Sequence, residues 1–158
     1  MIDTATVSVS AAEPRDHLVW RQLFAAYGKF YEVELTGAEI DRAWAWIHDP
    51  DRTARCLIAR AEDGTPVGFA HYRAEDSPLS GTRGFLDDLF VDPEHRGSGA
   101  VDALFAELRR IAVAEGWPNV RWRTAENNYR ARGVYDRHGA KTVFLTYSMD
   151  TTAPGTGA

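Results

Sequence analysis

Leu86-Asp87-Asp88-Leu89-Phe90-Val91-Asp92-Pro93-Glu94-His95-Arg96-Gly97-Ser98-Gly99-Ala100-Val101-Asp102 sets the architecture of this chain. Its first part is a strand signal, apolar residues around two acids. Pro93 to Gly99 is turn-forming, and Val101, Leu104, Phe105, Leu108, Ile111 and Ala112 then recur at three and four residues, the apolar stripe of a helix. Strand, glycine turn and helix follow without a gap. Such a junction suits an anion. The first N–H groups of a helix lack intrahelical partners, the helix dipole places partial positive charge there, and glycines let a ligand approach the backbone. Arg96 adds a planar, permanent cation. Two common phosphate-binding patterns fail on named positions. Gly97-Ser98-Gly99-Ala100-Val101-Asp102 lacks the third glycine of the dinucleotide fingerprint, and no Gly-Lys-Ser/Thr occurs, the only lysines being Lys29 and Lys141. Taken alone, the glycines would equally serve a tight strand-to-helix turn.

Upstream of this junction, apolar runs at 56–61 and 66–72 flank Glu62-Asp63-Gly64-Thr65 and predict a β-hairpin, with 85–91 as the next strand. Val7 and Val9 alternate with Ser8 and Ser10, the period of an edge strand. From Pro14 the period lengthens: Leu18, Val19, Gln22, Leu23, Ala26 and Tyr27 predict a helix stopping near Gly28. Thr36-Gly37-Ala38-Glu39 has the form of a capping box, with Ile40, Ala43, Trp44 and Ile47 behind it and Asp49-Pro50 ending the helix. Downstream, Gly116-Trp117-Pro118 closes the central helix; 120–124 reads as a strand, 128–137 as a helix and 142–149 as a final strand. The order β-α-α-β-β-β-α-β-α-β predicts an α/β fold with a mixed sheet. A single domain is expected over 1–150, with 151–158 as a disordered tail that has nothing to bury.

Composition narrows the function. The 158 residues, 44% hydrophobic and 26% charged, are those of a globular chain that buries a core. A net charge of −5 argues against a nucleic-acid partner, because generic affinity for nucleic acid comes from many cations neutralising phosphates. Any phosphate site must be local. The single cysteine, Cys56, cannot close an intrachain disulfide and by itself cannot build a zinc site, which fits a reducing cytoplasm with no metal. No stretch approaches about 18 apolar residues, so no membrane span is expected, and Met1-Ile2-Asp3 does not open a signal peptide.

The context of the glycine turn carries more. Val91-x-Pro93-x-x-Arg96-Gly97-x-Gly99-Ala100, strand before and helix after, resembles motif A of the GNAT N-acetyltransferase superfamily. Some thirty residues on, Asn128-x-x-Ala131-x-x-x-Tyr135, followed by Gly139, is similar to that superfamily's second signature. The element order fits too, so the resemblance covers roughly residues 5–150. Leu86-Asp87-Asp88-Leu89-Phe90-Val91 leans toward the branch of diamine (polyamine-type) and histone-type acetyltransferases. Three positions depart from it: Asp87 for a usual Glu, Val101 for a frequent third glycine, and Ala140 for a frequent Phe.

What the resemblance implies is specific. Acetyl-CoA is the co-substrate, its pyrophosphate on the backbone of Gly97, Ser98, Gly99, Ala100, Val101 and Asp102, beside Arg96, and its pantetheine arm along Leu89, Phe90 and Val91. Asn128 and Ala131 border that arm, and Tyr135 protonates the leaving thiolate. An alkyl amine has a pKa around 10.4, so near pH 7 only about one molecule in a thousand is nucleophilic and a base must take its proton. Asp87 and Asp88, adjacent on a strand, point to opposite faces; Asp87 is favoured as base and Asp88 as amine contact. Acids among aromatics suit a cationic amine, which makes Tyr27, Phe30, Tyr31, Glu32 and Glu34 candidates for the acceptor side; the same residues equally suit a homodimer interface. His71, His95 and His138 have no spacing that suggests a metal or a triad and read as ordinary. The expected acceptor is a small polyamine-like amine or amino acid; a protein lysine or N-terminus, and a coenzyme-binding regulatory domain, are the alternatives.

Overall fold

Residues 6–152 are described by the computed structural model. They divide into two compact units, one ending at Arg123 and one starting at Thr124. The first holds a five-stranded sheet in the order β1-β2-β3-β4-β5. Its strands are β1 (Ser8–Ala11), β2 (Arg55–Arg60), β3 (Pro66–Ser77), β4 (Gly81–Val91) and β5 (Val120–Trp122). The first four pair antiparallel and β4 pairs β5 in parallel, a mixed sheet as predicted. The helices α1 (His17–Phe30) and α2 (Gly37–His48) precede β2, and α3 (Ala100–Ala114) follows β4.

Strand alternation explains the layers. Ile58, Phe69 and Phe90 lie abreast in the register and pack with Trp20 and Leu23 of α1 and Ile40 and Ile47 of α2. The intervening residues Leu57, Ala59 and Ala70 are buried as well, so the second face also needs cover; α3, packed along β1 to β4, supplies it with Leu104 and Leu108. The capping box forms as read: the Thr36 hydroxyl accepts from the Glu39 N–H at 3.2 Å and the Thr36 N–H donates to the Glu39 carboxylate at 2.8 Å. Behind β1, the buried side chains of Asp16 and Arg60 form a two-pronged ion pair, one prong at 2.7 Å.

Three expectations change. Gly28 does not stop α1; the helix runs on to Phe30, and Gly28 is buried where a Cβ would lie 2.7 Å from the Val33 carbonyl. Its role is close approach of the returning chain, and the turn falls instead on Glu32, which takes a left-handed φ of 58°. The β3–β4 hairpin extends past the apolar run, because polar cross-strand pairs hold its outer half: Arg83 on Glu75 at 2.9 Å and Thr82 on Asp76 at 2.7 Å. The stretch 142–149, expected as a final strand, carries no strand; Val143, Phe144, Leu145, Tyr147 and Met149 are exposed. Composition marks a segment as strand-prone, but a strand exists only when a neighbour satisfies its backbone.

In the second unit, α4 (Tyr129–Tyr135) is capped by Asn128, whose side chain accepts from the Ala131 N–H at 3.3 Å. The proposed tail at 151–158 lies, from residue 153 on, outside the described residues.

Candidate active site

The site begins with a break in the sheet. β5 pairs β4 only at Gly84, Phe85 and Leu86, whereas β3 pairs β4 up to Val91. Leu89, Phe90 and Val91 therefore keep their β3 partners, Ala70, Phe69 and Gly68, and among the described residues have no strand partner on the other side. A backbone edge of this kind offers N–H and C=O groups to an extended, amide-containing ligand. At the break the ladder slips by one residue: His71 opposes Asp88, but Tyr72 opposes Leu86, so Asp87 is the extra residue of a β-bulge.

The open edge runs into the glycine turn. Gly97 and Gly99 have φ of 79° and 84°, the left-handed region, and a Cβ at either would meet no protein atom within 4 Å. Gly99 is the N-cap of α3 and brings no side chain to cap its first turn. Within the same loop the Ser98 hydroxyl and His95 Nδ1 are buried without a hydrogen-bond partner. Open space over a positive-φ backbone, an uncapped helix start and an orphaned hydroxyl fit a pyrophosphate; Arg96 stands exposed beside them. The residues read from sequence as the coenzyme cradle, Gly97 to Asp102, thus form one loop and helix start.

The bulge breaks the alternation expected of the two acids: Asp87 is held by Arg73, two residues from His71 on β3 and so on the face that Asp88 engages, yet the surroundings of the two differ. Asp88 lies under α1: its Oδ1 accepts from the Tyr27 hydroxyl at 2.8 Å and its Oδ2 is 2.9 Å from His71 Nδ1. His71 Nε2 in turn accepts from the Trp20 indole N–H at 3.0 Å. Burial opposes ionisation of Asp88, but the hydrogen bonds from His71 and from the Tyr27 hydroxyl outweigh it, and its pKa is lowered. Asp87 has the reverse balance. Burial dominates, the Arg73 guanidinium at 3.0 Å offsets part of it and Asp88 adds repulsion, so its pKa is raised.

Of the residues assigned to the acceptor side, Tyr27 joins the Asp88 network and Tyr31 packs edge-on against it, ring centroids 5.0 Å apart. Glu32, Phe30 and Glu34 are exposed around the end of α1. Tyr135 is half-buried in the last turn of α4, with Ala131 one turn earlier on its face. His71 and Trp20 were missed by sequence reasoning. The one signal available was that His71 shares a strand face with Phe69, which is a core pattern and says nothing of a carboxylate across the ladder. Cys56 is buried, and burial pushes its thiol pKa up, so it is no nucleophile. Among the described residues no group of His, Cys, Asp and Glu is arranged to hold a metal ion, and no helix is long and apolar enough to cross a membrane.

Comparisons with known proteins converge. The sequence pattern of the Acetyltransferase (GNAT) family matches residues 20–140. A D-amino-acid N-acetyltransferase of Saccharomyces cerevisiae is 27% identical over 91% of each chain, and an uncharacterized N-acetyltransferase of Bacillus subtilis is 29% identical over 93% of this chain and 99% of its own. Among solved structures, a ribosomal-protein-alanine N-acetyltransferase from Brucella melitensis superposes with a TM-score of 0.77 at 25% identity, covering 92% of this chain and 99% of that one. An aminoglycoside N-acetyltransferase in complex with CoA shares the fold, with a TM-score of 0.80 at 18% identity over 96% of this chain and 99% of its own. With its glycine cradle beside an open strand edge, the chain belongs to the GNAT acetyltransferase family and is an acyltransferase.

Proposed function

We propose that the protein moves an acetyl group from acetyl-CoA to the primary amine of a small cationic molecule, polyamine-like or an amino acid, by direct attack in a ternary complex. One observation carries the reading: the backbone edge of β4, unpaired beyond Leu86, leads straight from two differently tuned carboxylates to the Gly97–Gly99 turn. Of the relatives named, a D-amino-acid N-acetyltransferase and an aminoglycoside N-acetyltransferase support a small-molecule acceptor, while the ribosomal-protein-alanine N-acetyltransferase supports the protein alternative.

The roles divide by environment. Gly97 to Asp102 and Arg96 would hold the pyrophosphate, and Leu89, Phe90 and Val91 the amide-bearing arm; Asn128 and Ala131, in the second unit, are assigned to that arm by the resemblance of their motif. When bound, acetyl-CoA supplies an acyl group activated by a thiolate leaving group. A carboxylate with a raised pKa is the better proton acceptor near neutrality, so Asp87 takes the proton of the amine, directly or through water. Asp88, with its pKa lowered, stays ionised and receives the ammonium before deprotonation. A main-chain N–H of the open edge polarises the acyl oxygen, where negative charge grows during attack. The Tyr135 hydroxyl holds the proton that the leaving sulfur takes.

Thiol release from acetyl-CoA across a panel of polyamines, D- and L-amino acids, aminoglycosides and a lysine peptide tests the reading. Turnover of the small amines is expected; turnover of the peptide alone would replace it with a protein acetyltransferase, and tight CoA binding without turnover with a regulatory domain. Tyr135→Phe should lower kcat at least about tenfold with CoA affinity retained. Unchanged turnover would remove Tyr135 from its role. Assembly as a cytoplasmic homodimer belongs to the same proposal; sedimentation velocity checks it, with a monomer at working concentration as the contrary result.

A further inference from the structure

Buried polar groups in an apolar layer are costly unless each is satisfied, and the layer between α1 and the sheet contains three in series. Trp20, fully buried, His71, 8% exposed, and Asp88 come from a helix and two strands and have no sequence proximity. The chain's direction follows from the donors. An indole N–H only donates, so it occupies the His71 Nε2 lone pair at 3.0 Å. A neutral imidazole carries one proton, which is then on Nδ1, and that N–H points at Asp88 Oδ2, 2.9 Å away. Packing holds the imidazole in this setting: Phe69 lies against it with centroids 4.5 Å apart, and Phe24 meets it edge-on at 5.0 Å. Tyr27 holds the other carboxylate oxygen.

An ionised carboxylate has about four acceptor sites, and this clamp uses two. The side chain of Asp88 is 29% exposed, so the remaining lone pairs are not all covered by protein. We propose that Trp20 and His71 are positioning residues for the acyl acceptor: the Trp20 N–H and the Asp88 carboxylate together hold His71 in the Nδ1–H tautomer, and that N–H, with the Tyr27 hydroxyl, fixes the Asp88 carboxylate where it receives the ammonium of the amine. A carboxylate already immobilised loses no rotamer freedom when the cation arrives, which favours binding of the acceptor over that of the coenzyme. This rests on the reading of the site as an amine acetyltransferase, with Asp88 as the amine contact.

The two ring nitrogens can be tested apart. In His71→Asn the amide NH2 falls near the place of Nδ1 and keeps a donor for Asp88; in His71→Gln the amide falls near Nε2 and serves Trp20 alone. With spermidine, D-lysine and an aminoglycoside as probe amines, His71→Gln should raise the KM for the amine about tenfold or more. His71→Asn should stay within about threefold, and both should leave CoA affinity unchanged. Equal losses in the two variants would overturn the proposal, since a merely structural histidine has no reason to prefer one amide over the other. A second measurement needs neither variant nor turnover. Long-range ¹H–¹⁵N correlation of the wild-type imidazole should show the Nδ1–H form; an Nε2–H imidazole there would refute the clamp. If none of the three amines turns over, the acetyltransfer reading fails, while the tautomer still decides whether the clamp exists.

Discussion

Gly99→Asp is expected to weaken binding of CoA by about a hundredfold or more, measured by isothermal titration. Two effects add. Gly99 has φ of 84°, where a side chain costs about 1–2 kcal/mol in strain at the start of α3. Beyond its chain neighbours nothing lies within 4 Å of a Cβ at Gly99, so the new side chain starts in the open space assigned to the pyrophosphate. Two like charges about 4 Å apart near a protein surface repel by about 4 kcal/mol, more than the strain. Gly99→Ala separates the terms: it carries the strain without the charge and should lose much less affinity. Equal affinity in wild type and Gly99→Asp would refute the cradle.

The largest stability effect is expected at Asp16. Its carboxylate and the Arg60 guanidinium are both buried, and removing one partner leaves the other an uncompensated charge, at a cost of about 3–5 kcal/mol. For a chain of this length Asp16→Ala should lower Tm by about 10 °C. Adding Arg60→Met should recover much of the loss, because an apolar pair needs no counter-charge; a double variant no more stable than the single one would point to a packing defect. The pair also sets an acid limit. Burial tends to raise the Asp16 pKa, but its bonds to Arg60 and to the Glu13 N–H outweigh that, and the folded pKa is lowered. A lowered folded pKa contributes stability that is complete above the unfolded carboxylate value and is lost as pH falls through the folded one. The urea midpoint of the wild type should therefore fall below about pH 4, and that of Asp16→Ala should fall less steeply.

Local signals were legible and long-range ones were not. The capping box at Thr36, the stripe of α3 and the left-handed turn at Gly97 and Gly99 depend on residues within a few positions of one another, so pattern alone carries them. The opposed faces expected of Asp87 and Asp88 do not follow, because the bulge at Asp87 interrupts the alternation and leaves no mark in the local pattern. Gly28 was misread because a glycine that ends a helix and one that admits a crossing chain look alike until Val33 is seen above it. The stretch 142–149 has strand composition, which cannot show whether a pairing partner exists. In the site, the tuning of the two acids was out of reach, since it depends on burial and on Tyr27, His71 and Arg73, brought to them across 61, 17 and 14 positions by helix packing and cross-strand register.

The bulge at Asp87 has one more consequence. Antiparallel partners share a face, and the residues flanking Asp87, Leu86 and Asp88, already stand opposite consecutive residues of β3, Tyr72 and His71. Excising Asp87 would therefore leave every other β3–β4 partnership in place and straighten the strand into an unbroken ladder. The extra residue brings a cross-strand contact of its own, with the Arg73 guanidinium 3.0 Å from its carboxylate. It is an insertion the strand accommodates at the cost of regularity, and it falls just where β5 stops pairing β4.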